Sequence, residues 1–128
     1  MSGSHGGATG PTQGDYVKVL ALDVALRPGA SWRLETSPDD TVFAYLFEGA
    51  GTFGTGTTPV NSHRAVLFGE GRELAIKAGP EGLRFMLFAG KPLREPIAWG
   101  GPIVMNTREE LRQAFAELDN DTFIRHPR

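Results

Sequence analysis

Apolar residues recur at every second position through most of the chain, in short runs separated by glycine, proline and acidic turns. Over residues 16–26 (YVKVLALDVAL), Leu20, Leu22, Val24 and Leu26 share one face, while Val19, Ala21, Asp23 and Ala25 share the other. That period of two predicts a strand, apolar on nearly both sides. Ser31 to Thr36 alternates next, Ser37-Pro38-Asp39-Asp40 supplies turn chemistry, and Thr41 to Phe47 predicts a second strand of the pair. In it Val42, Ala44 and Leu46 share one face, and Phe43, Tyr45 and Phe47 the other. Turns are expected over 49–58, a strand over Val60 to Phe68, and a tight turn at Gly69-Glu70-Gly71. Glu73 to Ala78 and Leu83 to Ala89 then read as two strands paired across Gly79-Pro80-Glu81-Gly82.

The period changes after Gly90. Residues 90–106 carry prolines at 92, 96 and 102, which exclude a helix or a central strand and predict an extended strap over the sheets. Asn106 or Thr107 then caps the one convincing helix, with Glu110 placed to complete a capping box. Leu111, Ala114, Phe115 and Leu118 form its apolar stripe, opposite Arg108, Glu109, Arg112, Gln113 and Glu117, and the stripe is expected to cover one surface or end of the sheets. Asn120-Asp121 ends the helix, Phe123-Ile124 is expected to tuck back, and His126 reads as solvated in a charged tail. The parts expected are a flexible glycine-rich linker over 1–15, a β-domain with its strap over 16–106, and a capping helix with tail over 107–128.

A chain of 128 residues is enough for one core and not two. Seventeen glycines and nine prolines between short apolar runs favour an all-β barrel or sandwich. The net charge is -2, with no run of Lys or Arg, so neither nucleic acid nor a membrane surface is an expected partner. With no cysteine, disulfides, thiolate nucleophiles and cysteine metal sites are excluded together. No signal region or membrane-spanning apolar run is present, so a cytoplasmic protein is the default expectation. His63, beside Ser62 and Arg64, has no second ligand at metal spacing and reads as a surface histidine.

The spacing from Gly29 to Gly49 resembles the first motif of the cupins, in which two histidines and a glutamate stand between two glycines. Counting from Gly29 places Glu35 and Ser37 at the histidine positions and Thr41 or Val42 at the glutamate position. In the second motif, counted from Gly71, the last histidine is replaced by Leu74. Four ligands are missing from the pattern, and a lone Glu with a Ser cannot replace imidazoles and a carboxylate converging on a metal.

From Gly90 onward the chain resembles the C-terminal domain of the pirin family. Gly90, Pro92, Leu93, Glu95 and Pro96, then Gly101, Pro102, Val104, Met105, Asn106 and Thr107, stand at the family's strap positions, with Ile103 where most members have Phe. The likeness extends over residues 16–124 and includes Leu22-Asp23-Val24 and Pro28-Gly29. It implies an all-β, cupin-type double-stranded β-helix (jelly-roll) barrel with one C-terminal α-helix. Pirins are similar to bicupins: the N-terminal barrel holds iron or another divalent metal, the C-terminal barrel does not, and members are linked to quercetin dioxygenase activity and to protein contacts in transcriptional co-regulation.

Two functions follow as expectations. The first is a metal-free, non-catalytic structural and interaction module with no cofactor of its own, pairing with an N-terminal cupin or with a second copy as a homodimer. The second is a small-molecule-binding or quercetinase-like cupin whose metal-bearing half lies outside this chain, with a pocket lined by Arg33, Glu35, Ser37, Val42, Leu46 and Leu74. Neither reading assigns a catalytic or metal-binding residue.

Overall fold

In a computed structural model, which describes residues 2–124, two long strands carry the sheet. They are β5 (Thr41–Phe53) and β8 (Glu73–Gly90), and their neighbours are β3 (Leu20–Leu26), β4 (Ser31–Glu35), β6 (Val60–Asn61) and β7 (Arg64–Leu67). All pairings are antiparallel. β8 lies beside β5 for most of its length, β3 pairs with its second half, and β4 with its first half. β6 and β7 pair with the other edge of β5. The hydrogen-bonded strands do not close into a barrel.

The predicted hairpin across Gly79-Pro80-Glu81-Gly82 does not form, because Glu73–Gly90 is one strand whose two halves pair with other strands and not with each other. The predicted turns after Gly49 likewise begin later, since β5 continues to Phe53. Glycine and proline mark a shared bend instead. The β5–β8 register slips between Leu46 and Glu48 and again between Gly49 and Gly51, two bulges that let both strands curve together. Gly49 (φ 73°) and Gly82 (φ 85°) meet at this bend. A Cβ on Gly49 would collide with the Gly82 carbonyl, so the close approach requires a residue without one. The strand expected over Val60 to Phe68 is broken at Ser62-His63, where His63 takes φ 61° and its N–H donates to the Leu46 carbonyl at 2.7 Å.

The inner face follows the alternation. Val42, Ala44 and Leu46 of β5, Leu34 of β4, and Leu74, Ile76, Ala78, Leu83, Phe85, Leu87 and Ala89 of β8 form one buried cluster. Leu20, Val24 and Leu26 of β3 pack against it, as do Trp32, Phe53 and Phe68. Burial of this apolar surface is the main stabilising contribution.

The glycine-rich N-terminus is docked rather than loose. β1 (Ser4–His5) and β2 (Ala8–Thr9) form a miniature hairpin around Gly6-Gly7, the backbone of Ser2 exchanges two hydrogen bonds with Ala21, and the His5 ring lies 5.7 Å from Trp32. The first strand is correspondingly shorter than its sequence pattern, starting at Leu20, and Tyr16 is fully exposed.

By its contacts the chain divides after Pro92, so the strap belongs with the helix and not with the sheet. The second unit contains structure where only an extended segment was expected: β9 (Ala98–Gly100) and β10 (Ile103–Met105) pair as a hairpin. Helix α1 (Arg108–Asp119) packs on that hairpin, with Ala98, Ile103 and Ala114 buried and Gly100 set close against Leu111 and Phe115. The capping box forms as expected: Glu110 N–H donates to Thr107 Oγ1 at 3.2 Å, and Thr107 N–H donates to Glu110 Oε2 at 2.8 Å. Asn120 is the C-cap, and Asp121 follows with φ 57°. His126 lies outside the described residues. No helix among the described residues is long and apolar enough to cross a membrane.

Candidate functional site

A ligand-binding cupin needs polar groups in its interior. β4 alternates with Trp32 and Leu34 inward and Arg33 and Glu35 outward. The six residues expected to line one pocket therefore separate. Val42, Leu46 and Leu74 are buried in the core, whereas Arg33, Glu35 and Ser37 are exposed. Counting from a glycine gives a spacing but not a face, and in a strand a slip of one residue exchanges the two faces.

On the outside, Arg33 Nη1 donates to Glu73 Oε1 at 2.7 Å, and Glu35 stands opposite Glu73 in the register. The arginine offsets the repulsion of two carboxylates facing each other across the strands. Ser37 Oγ accepts from Asp39 N–H at 3.3 Å, a local turn interaction.

A divalent metal does not fit the interior. Among the described residues no polar or charged residue is buried, and no three His, Cys, Asp or Glu side chains converge as ligands. The inward positions on β4, β5 and β8 carry hydrocarbon, which donates no electron pair to a cation. His63 is exposed on the β6–β7 connection.

The outer face of the same sheet is unusual in the opposite sense. Cross-strand pairing sets Leu67, Phe43, Phe88 and Ala21 in one row across β7, β5, β8 and β3. The next row holds Ala65, Tyr45, Met86 and Asp23. The Phe43 and Phe88 rings stack at 4.9 Å, and Tyr45 meets Phe47 edge-on at 5.3 Å. Phe43, Tyr45 and Phe47 are each about two fifths exposed, and Leu67 is 73% exposed. Single exposed apolar side chains are ordinary, but contiguous rows over four strands form a patch of the kind that marks an interaction surface.

An ion-pair group borders this patch. Arg84 donates from Nε and Nη2 to the two carboxylate oxygens of Asp23, at 3.1 and 2.8 Å, and its Nη1 lies 3.9 Å from Glu48. The Arg84 hydrogen bonds, with its charge, hold the Asp23 carboxyl below the usual carboxylate range. In the second unit, backbone and hydroxyl donation from Thr107 lowers the Glu110 pKa in the same way.

Alternation puts Phe43, Tyr45 and Phe47 on one face of their strand and Met86 and Phe88 on one face of theirs; that these faces, with Leu67, adjoin in one patch depends on the cross-strand register, which alternation within a strand does not give. A groove of about 530 Å³ lies at the bend, lined by Gly29, Gly51, Thr52, Lys77 and Pro80 among others, with no titratable cluster at it.

The model of the Pirin C-terminal cupin domain family matches residues 21–124. Pirin-1 of Arabidopsis thaliana is 37% identical over 105 residues, covering 79% of this chain and 37% of that protein. A pirin-like protein of Caulobacter vibrioides is 34% identical over 117 residues, covering 91% of this chain and 41% of its own length. Among solved structures, a quercetin 2,3-dioxygenase of Acinetobacter baumannii superposes with a TM-score of 0.84 at 28% identity, covering 95% of this chain and 42% of that one. The chain thus spans about two fifths of the length of these relatives.

Proposed function

The chain belongs to the Pirin C-terminal cupin domain family, and from that premise we propose that it is a metal-free, non-catalytic module that works by docking its outer sheet face onto another protein surface. The observation that carries this reading is the inversion of polarity. The interior, where a catalytic cupin keeps its polar groups, is filled with hydrocarbon, while aromatic rings are displayed outside. Function has to be argued from such a site and not from the fold.

On this reading the partner in a longer pirin is an N-terminal cupin, and for this chain alone it is a second copy. A homodimer joined through the Phe43 rows would remove them from water on both copies, which an isologous contact does with one patch. The dioxygenase activity named for the Acinetobacter protein then belongs to the part of such proteins that this chain does not span. The same reading takes a protein surface as the partner in preference to nucleic acid or a membrane, and the cytoplasm as the place of action.

Light scattering coupled to size exclusion tests the reading at on the order of 50 µM chain, a concentration at which a specific dimer persists. A dimer mass is expected, and a clean monomer overturns the homodimer. Metal analysis of untagged protein gives a separate answer: iron, nickel or zinc at one ion per chain would overturn the metal-free assignment.

A further inference from the structure

We infer that the cavity between the β9–β10 hairpin and helix α1 is a binding site for a small aromatic carboxylate. It lies wholly within the second unit and does not rest on the docking role of the sheet. Its volume is about 340 Å³, and Ile97, Ala98, Trp99, Arg108, Leu111 and Arg112 line it. That is near the lower end of the usual range for ligand pockets, roughly 300–1,000 Å³, and it suits one or two fused rings.

Trp99 supplies the first half of the recognition. The residue is 74% exposed, yet the indole N–H already donates to the Gly101 carbonyl at 2.7 Å across the hairpin turn. The ring is therefore held in place with its polar atom satisfied, and it offers an incoming molecule mainly its apolar face. Such a face favours an offset-stacked aromatic ring over an aliphatic chain.

The two guanidinium groups supply the second half. Arg108 and Arg112 lie one turn apart on α1, so they share the side of the helix that lines the cavity. Arg112 is only loosely engaged, 3.8 Å from an exposed Glu109. Arg108 is the first residue of the helix, where the backbone dipole already presents positive charge and a cation is unfavourable. A local choice that works against helix stability is expected where the side chain serves another purpose. The amide nitrogen at Glu110 is occupied by the capping box, so the anion is met by the guanidinium groups. Planar guanidinium matches a carboxylate with paired hydrogen bonds.

Calorimetric titration of the full chain distinguishes the parts. The probes are 2-naphthoate, its neutral counterpart 2-naphthalenemethanol, and acetate, which lacks the ring. 2-Naphthoate is expected to bind with a Kd on the order of 1 mM, as its atom count permits, and about tenfold more tightly than the alcohol. Acetate is expected to give no saturable heat in that range. Arg108→Gln and Arg112→Gln should each weaken the acid about tenfold while leaving the alcohol unchanged, with Lys at either position restoring part of the loss. Trp99→Leu should weaken acid and alcohol alike, with circular dichroism showing an intact fold. Equal binding of acid and alcohol, affinity indifferent to both arginine substitutions, or no binding of the acid at about 10 mM would each overturn the assignment. So would an Asp- and Phe-rich peptide that binds the same residues about a hundredfold more tightly than the naphthoate, since the site would then be a peptide surface.

Discussion

Gly49 and Gly82 meet back to back where the two longest strands bend, and neither tolerates a side chain there. A Cβ on Gly49 would run into the Gly82 carbonyl, and one on Gly82 would lie 2.9 Å from the Leu26 carbonyl oxygen. Both also hold positive φ. Gly49→Ala is expected to destabilise the fold by about 3 kcal/mol or more, combining the left-handed backbone cost with displacement of a paired strand. Gly29→Ala is the control. It shares positive φ (70°) but a Cβ there meets nothing within 4 Å, so it should cost only about 1 kcal/mol. Urea unfolding measures both, and equal costs would show that the bend does not depend on the close approach.

The outer rows give a second prediction. Phe43 stacks on Phe88 with its neighbour Leu67 largely exposed, so a charge at Phe43 is adjacent to the centre of the patch. Phe43→Asp is expected to weaken self-association about thirtyfold or more, the scale of a central aromatic contact. Leu67→Asp should act in the same direction and perturb the fold less, being the more exposed position. If both variants keep the wild-type mass in light scattering at every concentration, the copies meet elsewhere.

Much of this architecture was readable from alternation alone. The division of Val42 to Phe47 into two faces, the faces of Leu20 to Leu26, and the Thr107–Glu110 capping box all stand in the structure as the pattern placed them. What failed was punctuation. Gly79-Pro80-Glu81-Gly82 has the composition of a turn but serves as an irregular bend inside β8, because β5 pairs with Ala78 on one side of it and with Leu83 on the other. No local signal separates those two uses of glycine; the decision depends on a strand about thirty residues away. The candidate pocket failed for a related reason. A motif count from Gly29 selected Glu35 and Ser37, whereas the alternation of Trp32 and Leu34, visible in the same six residues, already pointed the polar positions outward. The strap hairpin was missed because three prolines argued against strand, yet all three lie outside β9 and β10.

Packing gives a third prediction, built on a contrast between two phenylalanines. Phe85 is completely buried at the centre of the cluster, with Trp32 edge-on at 5.9 Å, whereas Phe47 is 41% exposed on the outer face. Phe85→Ala is expected to cost about 3–5 kcal/mol, the sum of lost transfer energy and a residual cavity. Phe47→Ala should cost about 1 kcal/mol or less under conditions where the chain is monomeric. A loss at Phe47 as large as that at Phe85 would mean that the outer face is buried in the folded unit and is not a surface for a partner.

The Asp23–Arg84 pair makes a prediction in pH. Arg84 stabilises the ionised form of Asp23, so the folded-state pKa lies below the unfolded value of about 3.9. The pair's contribution to stability is therefore complete above about pH 4 and drains away as pH falls through the folded-state pKa. Asp23→Asn removes the charge at every pH. The gap in Tm between the wild type and Asp23→Asn should be constant from about pH 7 to pH 5, then narrow in more acid solution. Glu110, whose pKa is also lowered, is present in both proteins and titrates equally, so its contribution cancels from the difference. Added salt should reduce the gap at neutral pH, because the two side chains are partly exposed to solvent. A gap that stays level down to pH 2, or grows on acidification, would show that Arg84 does not act on the charge of Asp23.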